Sequence, residues 1–262
     1  MRILITGAGR AIGAATAQEL ARAGHQVIAT ARDPSLLDQL DVALRLRLDV
    51  TDDESVRAAL DRAGDVDAIV NNAAISAKGP LEGYPIDRLR AMFETNTFGA
   101  LRLIQQVVPA WRARGHGVVV NVSSVQGRVA TPLEGPYSAS KFALEALSET
   151  LHYELGHFGI RVVIVEPGYI APGMKPTDAV SSEDVYRPLW EQWEGTDTKV
   201  TGPAGRPGPE VVAAAIRRAV EDPSTPLRVP VGDDAVAVLA ARSQLDDATF
   251  EAAMRETLGM TW

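Results

Sequence analysis

The chain has 262 residues, 46% of them hydrophobic, with a formal net charge of −8 and no cysteine. This is enough apolar material for one large domain or two small ones, and the acidic balance argues against the extended basic surface that nucleic-acid binding requires. Without thiols, neither a disulfide framework nor thiolate metal ligation can be part of the design.

The first apolar stretch, "ILITGAGRAIGAATA", is interrupted by glycines and by Arg10 and lacks the layout of a signal peptide. No run of about 20 apolar residues follows it, so the expectation is a cytoplasmic protein that neither enters nor spans a membrane. The sequon "NVS" at 121 falls in an expected buried strand and is set aside as a glycosylation site.

Along the chain, short apolar runs at 2–6, 26–30, 43–48, 67–71, 117–123, 161–166 and 227–231 suit strands buried on both faces of a parallel sheet. Between them, amphipathic stretches at 11–23, 53–62, 87–114 and 137–157 are long enough for crossover helices. The alternation predicts an α/β, doubly wound fold with a mostly parallel seven-stranded sheet and helices on both faces, as one domain over 1–262. Gly24 and Gly115 mark helix ends, and Asp52 or Asp53 can cap the helix at 53–62. From 168 to 209 the rhythm fails in a stretch rich in proline and glycine, read as a substrate lid with a short helix around 183–194.

At the first strand–helix junction, "LITGAGRAIGAAT" places Gly7, Gly9 and Gly13 in a G-x-G-x-x-x-G spacing. Glycines permit a tight turn and close approach of a ligand, and the helix start offers unpaired N–H groups to a pyrophosphate. The spacing is one residue longer than the usual dinucleotide motif, and the lysine of a phosphate-binding P-loop is missing.

Taken together, "TGAGRAIG" (6–13), "LDVTD" (48–52), "NNAA" (71–74), Asn96 in "NTFG", "VNVSS" (120–124), "YSASK" (137–141) and "EPGYI" (166–170) resemble the short-chain dehydrogenase/reductase family in order and spacing. The resemblance implies a Rossmann fold and a nicotinamide cofactor. It implies that Gly7, Gly9, Ile12 and Gly13 hold the pyrophosphate and that Asp49 and Val50 approach the adenine. It places the turn of Asn71, Asn72 and Ala73 beside the cofactor, together with Pro167, Gly168 and Ile170. Three positions depart from the pattern: Ala11 and Ala74 stand where glycines are usual, and Pro172 stands for a threonine that often contacts the carboxamide.

The end of the second strand, "IATARDP", bears on the choice of nicotinamide cofactor. An acidic residue there would bond the ribose 2′-hydroxyl of NAD, whereas this chain has Ala31 followed by Arg32, with Arg10 in the glycine turn. Two guanidiniums facing one 2′-phosphate would give charge-assisted bonds, so the expectation is NADP(H).

Tyr137 and Lys141 are four apart where the chain turns helical and so share one face. A nearby cation favours the phenolate and is expected to lower the phenol into the range useful for acid–base work. By the resemblance, Ser124 holds the substrate oxygen, Asn96 anchors a water leading to solvent, and Lys141 also bonds the nicotinamide ribose. The four histidines, His25, His116, His152 and His157, form no motif, and no metal is expected.

The expected activity is that of an NADP(H)-dependent carbonyl reductase or alcohol dehydrogenase. The likeness to the subgroup holding hydroxysteroid and retinol dehydrogenases and bacterial ketoreductases implies a bulky hydrophobic ketone or secondary alcohol. Tyr169, Met174, Tyr186, Trp190 and Trp193 could cover such a ligand, or the two tryptophans could simply pack the lid helix. The alternative function is a catalytically silent NADP(H)-binding sensor or scaffold. Apolar and small residues on the helices at 87–114 and 137–157, Phe98 and Phe142 among them, together with the family resemblance, imply a homodimer or homotetramer.

Overall fold

The structure, a computed structural model, describes residues 1–174, 184–201 and 205–262, with every side chain in these ranges except those at 184 and 197. Its strands are β1 (Arg2–Ile5), β2 (Gln26–Ala31), β3 (Leu44–Arg47), β4 (Ala68–Asn71), β5 (Gly117–Val122), β6 (Ile160–Pro167) and β7 (Arg228–Val231). They form one seven-stranded sheet in the order β3-β2-β1-β4-β5-β6-β7. Every ladder is parallel. The order reverses between β1 and β4, the switch point where open α/β sheets leave a crevice at the carboxyl ends of their strands.

The helices are α1 (Ala11–Arg22), α2 (Asp53–Ala63), α3 (Ile86–Phe93), α4 (Gly99–Arg114), α5 (Gly135–Gly156), α6 (Arg187–Trp193), α7 (Thr196–Thr201), α8 (Glu210–Glu221), α9 (Asp233–Gln244) and α10 (Asp247–Leu258), with α1 and α8 on one face of the sheet and α2, α4 and α5 on the other. Because successive strand residues point to opposite faces, the apolar runs build two cores at once. Ile3, Ile5, Val27, Val120 and Val165 meet Leu20 of α1 and Ile216 of α8 on one side. Leu4, Ile28, Ile69 and Val119 meet Val56 of α2, and Leu103 and Trp111 of α4, on the other.

The punctuation read from the sequence acts as expected in two places. The Asp52 carboxylate accepts from the Glu54 and Ser55 amides at the start of α2, and Gly115 takes the left-handed conformation that ends α4. Two boundaries differ. The single helix expected at 87–114 is interrupted by a π-turn at Glu94–Phe98, where Asn96 and Thr97 turn inward and bond the backbone of Ile75 and Ser140. Helix α5 begins at Gly135, so Tyr137 lies in its first turn. Helices α8, α9 and α10 were not anticipated at all.

Of the stretch expected to form a lid, residues 175–183 and 202–204 lie outside the described residues. The short helix expected at 183–194 is α6. Its Trp193 packs with Leu133 and with Leu258 of α10, and Tyr186 and Trp190 join the same cluster. Among the described residues no helix is long and apolar enough to cross a membrane.

Candidate active site

The carboxyl ends of β1, β2, β4, β5 and β6 open onto one cavity of about 510 Å³. Gly7, Gly9, Ile12 and Gly13 form its floor where β1 passes into α1. A Cβ on Gly13 would stand 2.2 Å from the Gly7 carbonyl oxygen, so no other residue fits without moving the turn. Thr6 and Asn72 pin this turn to the end of β4: Thr6 Oγ1 accepts from the amides of Asn72 and Ala73, and Asn72 Nδ2 donates to the carbonyls of Thr6 and Gly7 at 3.0 and 3.1 Å. Ala11, the departure from glycine, holds a left-handed backbone at φ 45°. No side chain caps the start of α1, which leaves its first amides facing the cavity, as an anionic ligand requires.

At the far end of β2, Ala31, Arg32 and Asp33 line the same cavity, as do Arg10, Asp49 and Val50. Asp33 is held by its own turn, accepting from the Ser35 amide and hydroxyl at 3.0 and 2.7 Å, and those bonds hold its carboxyl below the usual range. Asp49 accepts from Thr51 in the same way and feels the positive charge of Arg32. Asn72 and Ala73 line the cavity, whereas Asn71 is buried beneath it and donates to Asn121, which donates in turn to Ser148 of α5. From this place in the sheet Asn71 supports the turn beside the cavity, the part that the resemblance gives it.

Ser124, Tyr137 and Lys141 line the other end, with Pro167, Gly168 and Ile170 from the end of β6. Strand β5 ends as Ser124 caps the short turn at Val125–Gly127, its Oγ accepting from the Gln126 amide at 3.1 Å. A side-chain hydrogen bond links Ser124 to Tyr137. The Tyr137 ring packs against the buried cluster of Ala77, Tyr84 and Met92. Lys141, only 2% exposed, donates to the Val122 carbonyl at 2.8 Å. Burial pulls its ammonium down to about 8, against a smaller upward pull from Glu145.

The phenol does not titrate as the i, i+4 spacing suggests. Burial pushes Tyr137 well above the ordinary phenol value, the Ser124 bond opposes it, and the negative charge of Glu134 adds to the rise. Asn96 does not line the cavity. It lies under the site, its amide spanning the Ile75 carbonyl at 2.9 Å and Ser140 Oγ at 3.0 Å, while its Oδ1 accepts from the Ile75 amide.

Of the large side chains expected to cover a ligand, Tyr169 and Met174 line the cavity, and Tyr186, Trp190 and Trp193 do not. Among the wall residues that the sequence reading did not single out are Lys78, Gln126, Glu134 and Arg206. Arg206 stacks on Tyr169, 5.1 Å from the ring centre. An acidic residue three positions ahead of Tyr137 was a signal that could have found Glu134. The histidines stand apart, with His25 on Glu221, and His152 and His157 edge-on to Tyr153 and Phe158.

Comparison with known proteins agrees with this geometry. The short chain dehydrogenase family profile matches residues 1–181. The chain is 34% identical over 261 residues to a 3-ketodihydrosphingosine reductase of Bacteroides thetaiotaomicron, covering 97% of this chain and 96% of the relative. It superposes on the crystal structure of a short-chain dehydrogenase from Streptomyces avermitilis with a TM-score of 0.82 and 36% identity, over 98% of this chain and 97% of that one. A Burkholderia cenocepacia short chain dehydrogenase in complex with NADP gives a TM-score of 0.76 at 27% identity, over 98% and 96% of the two chains. With its parallel seven-stranded sheet and its glycine turn at the switch point, this chain belongs to the short-chain dehydrogenase/reductase family of oxidoreductases.

Proposed function

We propose that the protein is an NADP(H)-dependent reductase or dehydrogenase that interconverts a ketone and a secondary alcohol. The observation behind this is the meeting of Ser124, Tyr137 and Lys141 in the same cavity as the glycine turn. The uncapped start of α1 suits a pyrophosphate, and the open wall beyond Ala31, next to Arg32 and Arg10, suits a 2′-phosphate. Asp33, the one carboxylate beside that wall from the end of β2, is already engaged by Ser35.

The nicotinamide, when bound, supplies or accepts the hydride. In the reducing direction Ser124 Oγ holds the substrate carbonyl oxygen and Tyr137 gives it the phenol proton. The phenol is protonated at neutral pH, the state that donation requires. Lys141, cationic at neutral pH and fixed on Val122, stabilises the phenolate left behind. Solvent then restores the proton.

The apolar faces of Tyr169 and Met174 support a ketone with a bulky hydrophobic body. In the same proposal, 168–209 acts as a lid on one domain, and the enzyme works in the cytoplasm as a homodimer or homotetramer paired through α4 and α5, where Phe98, just ahead of α4, and Phe142 are exposed. The test is a binding comparison of NADPH with NADH in wild type and Arg32→Ala, followed by NADPH oxidation over a ketone panel. Tighter NADPH binding that Arg32→Ala weakens is expected; equal affinities would remove the 2′-phosphate site, and a panel without turnover would remove the enzyme.

A further inference from the structure

Building on the activity proposed above, we infer that the substrate carries a hydrogen-bond donor, an O–H or N–H, beside its reacting carbonyl, and that Glu134 recognises it. Glu134 comes three residues before Tyr137 and lines the cavity, with its side chain 11% exposed. The other two acids of the wall, Asp33 and Asp49, are occupied by Ser35 and Thr51 at the Arg32 end.

The carboxylate is joined to the catalytic groups through one residue, Gln126. Gln126 Nε2 donates to Glu134 Oε2, Gln126 Oε1 accepts from Ser138 Oγ at 3.2 Å, and the Gln126 amide donates to Ser124 Oγ. The negative charge of Glu134 is also felt at the Tyr137 phenol, so it acts close to the reacting oxygen. Thr131 Oγ1 donates to Oε2 at 3.3 Å. On Oε1 the contact is a long one, with Lys78 Nζ at 3.5 Å. A carboxylate offers about four acceptor sites, and a nearly buried one is costly to leave underused, so Oε1 has capacity for a donor from the ligand.

The backbone holds Glu134 in this place against its own preference. Leu133, the residue before it, takes the left-handed conformation at φ 62°, which costs a non-glycine residue energy and persists only when surroundings enforce it. Its side chain is buried with Leu189, Trp193 and Leu258, and its carbonyl accepts from the Gly79 amide at 2.8 Å. Contacts on both sides thus fix the loop that turns the carboxylate toward the cavity. Such a wall repels a carboxylate or phosphate next to the carbonyl and favours a hydroxyl or an ammonium.

The alternative is that the Lys78–Glu134 pair only ties two loops together, and matched substrates separate the two. Three ketones of one carbon skeleton serve as probes: one plain, one with an α-hydroxyl and one with an α-ammonium. Each is reduced with saturating NADPH by wild type, Glu134→Gln and Lys78→Met, and the readout is the ratio of kcat/KM for each donor ketone to the plain one. Wild type is expected to favour a donor ketone by on the order of tenfold or more, the scale of one hydrogen bond to a charged group. Glu134→Gln should collapse that ratio, most steeply for the ammonium ketone, and Lys78→Met should raise it for the ammonium ketone by removing the competing cation.

A loop-tying role would move all three substrates together and leave the ratios unchanged, which overturns the inference. Equal wild-type kcat/KM for the three ketones also overturns it while sparing the proposed activity, whereas a wild type that reduces none of them removes both. If Glu134→Gln does not fold, the ammonium ratio in Lys78→Met decides alone.

Discussion

Lys141 Nζ lies 5.8 Å from the centre of the Tyr137 ring and donates to the Val122 carbonyl at 2.8 Å. The ammonium therefore stacks over the face of the phenol while its hydrogen bond runs to β5, and burial governs the ionisation of both groups. A neutral phenol at pH 7 acts as a proton donor. Tyr137→Phe keeps the ring and its packing but deletes that proton, so turnover should fall by roughly 10²- to 10⁴-fold. NADPH binding, followed by fluorescence, should be nearly unchanged. Retention of most of the turnover would remove Tyr137 as the acid.

The buried ammonium makes stability depend on pH. Below about 8 Lys141 is charged in both folded and unfolded states, and the folded state bears the full desolvation cost. From pH 8 to the ordinary lysine value of 10.5 the folded lysine loses its proton first, the unfolded state binds more protons, and stability rises. Relative to Lys141→Met, the wild type should gain up to ~3 kcal/mol across that window. Urea unfolding of both proteins from pH 7 to 10 measures the difference; parallel curves would contradict it.

Glu166 on β6 has the opposite sign. Burial and the nearby Glu145 push its carboxyl up to about 7, against the pull of Arg128 at 3.4 Å and Arg228 at 3.9 Å. Between the usual carboxylate range and pH 7 the folded state holds the extra proton, so stability from this group falls as pH rises through that interval. Glu166→Gln should gain on wild type from pH 5 to 7 and then level off. A wild type that gains on the variant over the same range would show that the two arginines outweigh burial.

Asp234, in the first turn of α9, accepts from the Tyr169 amide at 2.7 Å, and a Cβ on Gly168 would stand 2.2 Å from the same carboxylate oxygen. A helix far along the chain thus fixes the backbone on which Tyr169 meets the cavity. Asp234→Ala strips that amide of its acceptor, a loss of ~1–3 kcal/mol. The expected result is a higher KM for ketone and a lower Tm; an unchanged KM would confine Asp234 to stability.

Ala11 sits in the left-handed region at the start of α1. Ala11→Gly should relieve roughly 1 kcal/mol of backbone strain, partly offset by the greater freedom of glycine in the unfolded chain. A small rise in Tm with undiminished NADPH binding is expected, and a lower Tm would mean that the Ala11 methyl has packing worth more than the strain.

Much of this molecule was legible in the order of its residues. Continuous valine and isoleucine runs can bury themselves on both faces only in a parallel sheet, and all seven strands lie where those runs stand. The glycine turn, Ser124, Tyr137 and Lys141 were legible for a similar reason: each stands at a strand end or helix start, where local geometry sets its direction. What the sequence could not give was environment. Tyr137 and Lys141 titrate by desolvation, which depends on elements packed from distant parts of the chain and outweighs their spacing. Whether Trp190 and Trp193 cover a ligand or pack their own helix stays open in the sequence until α10 supplies the surface they pack on. Glu134 acquires its place only when Leu133 is trapped between Gly79 and the C-terminal cluster. Periodicity is written locally, whereas burial and charge pairing arise from contacts between residues far apart along the chain, and only the folded structure decides those.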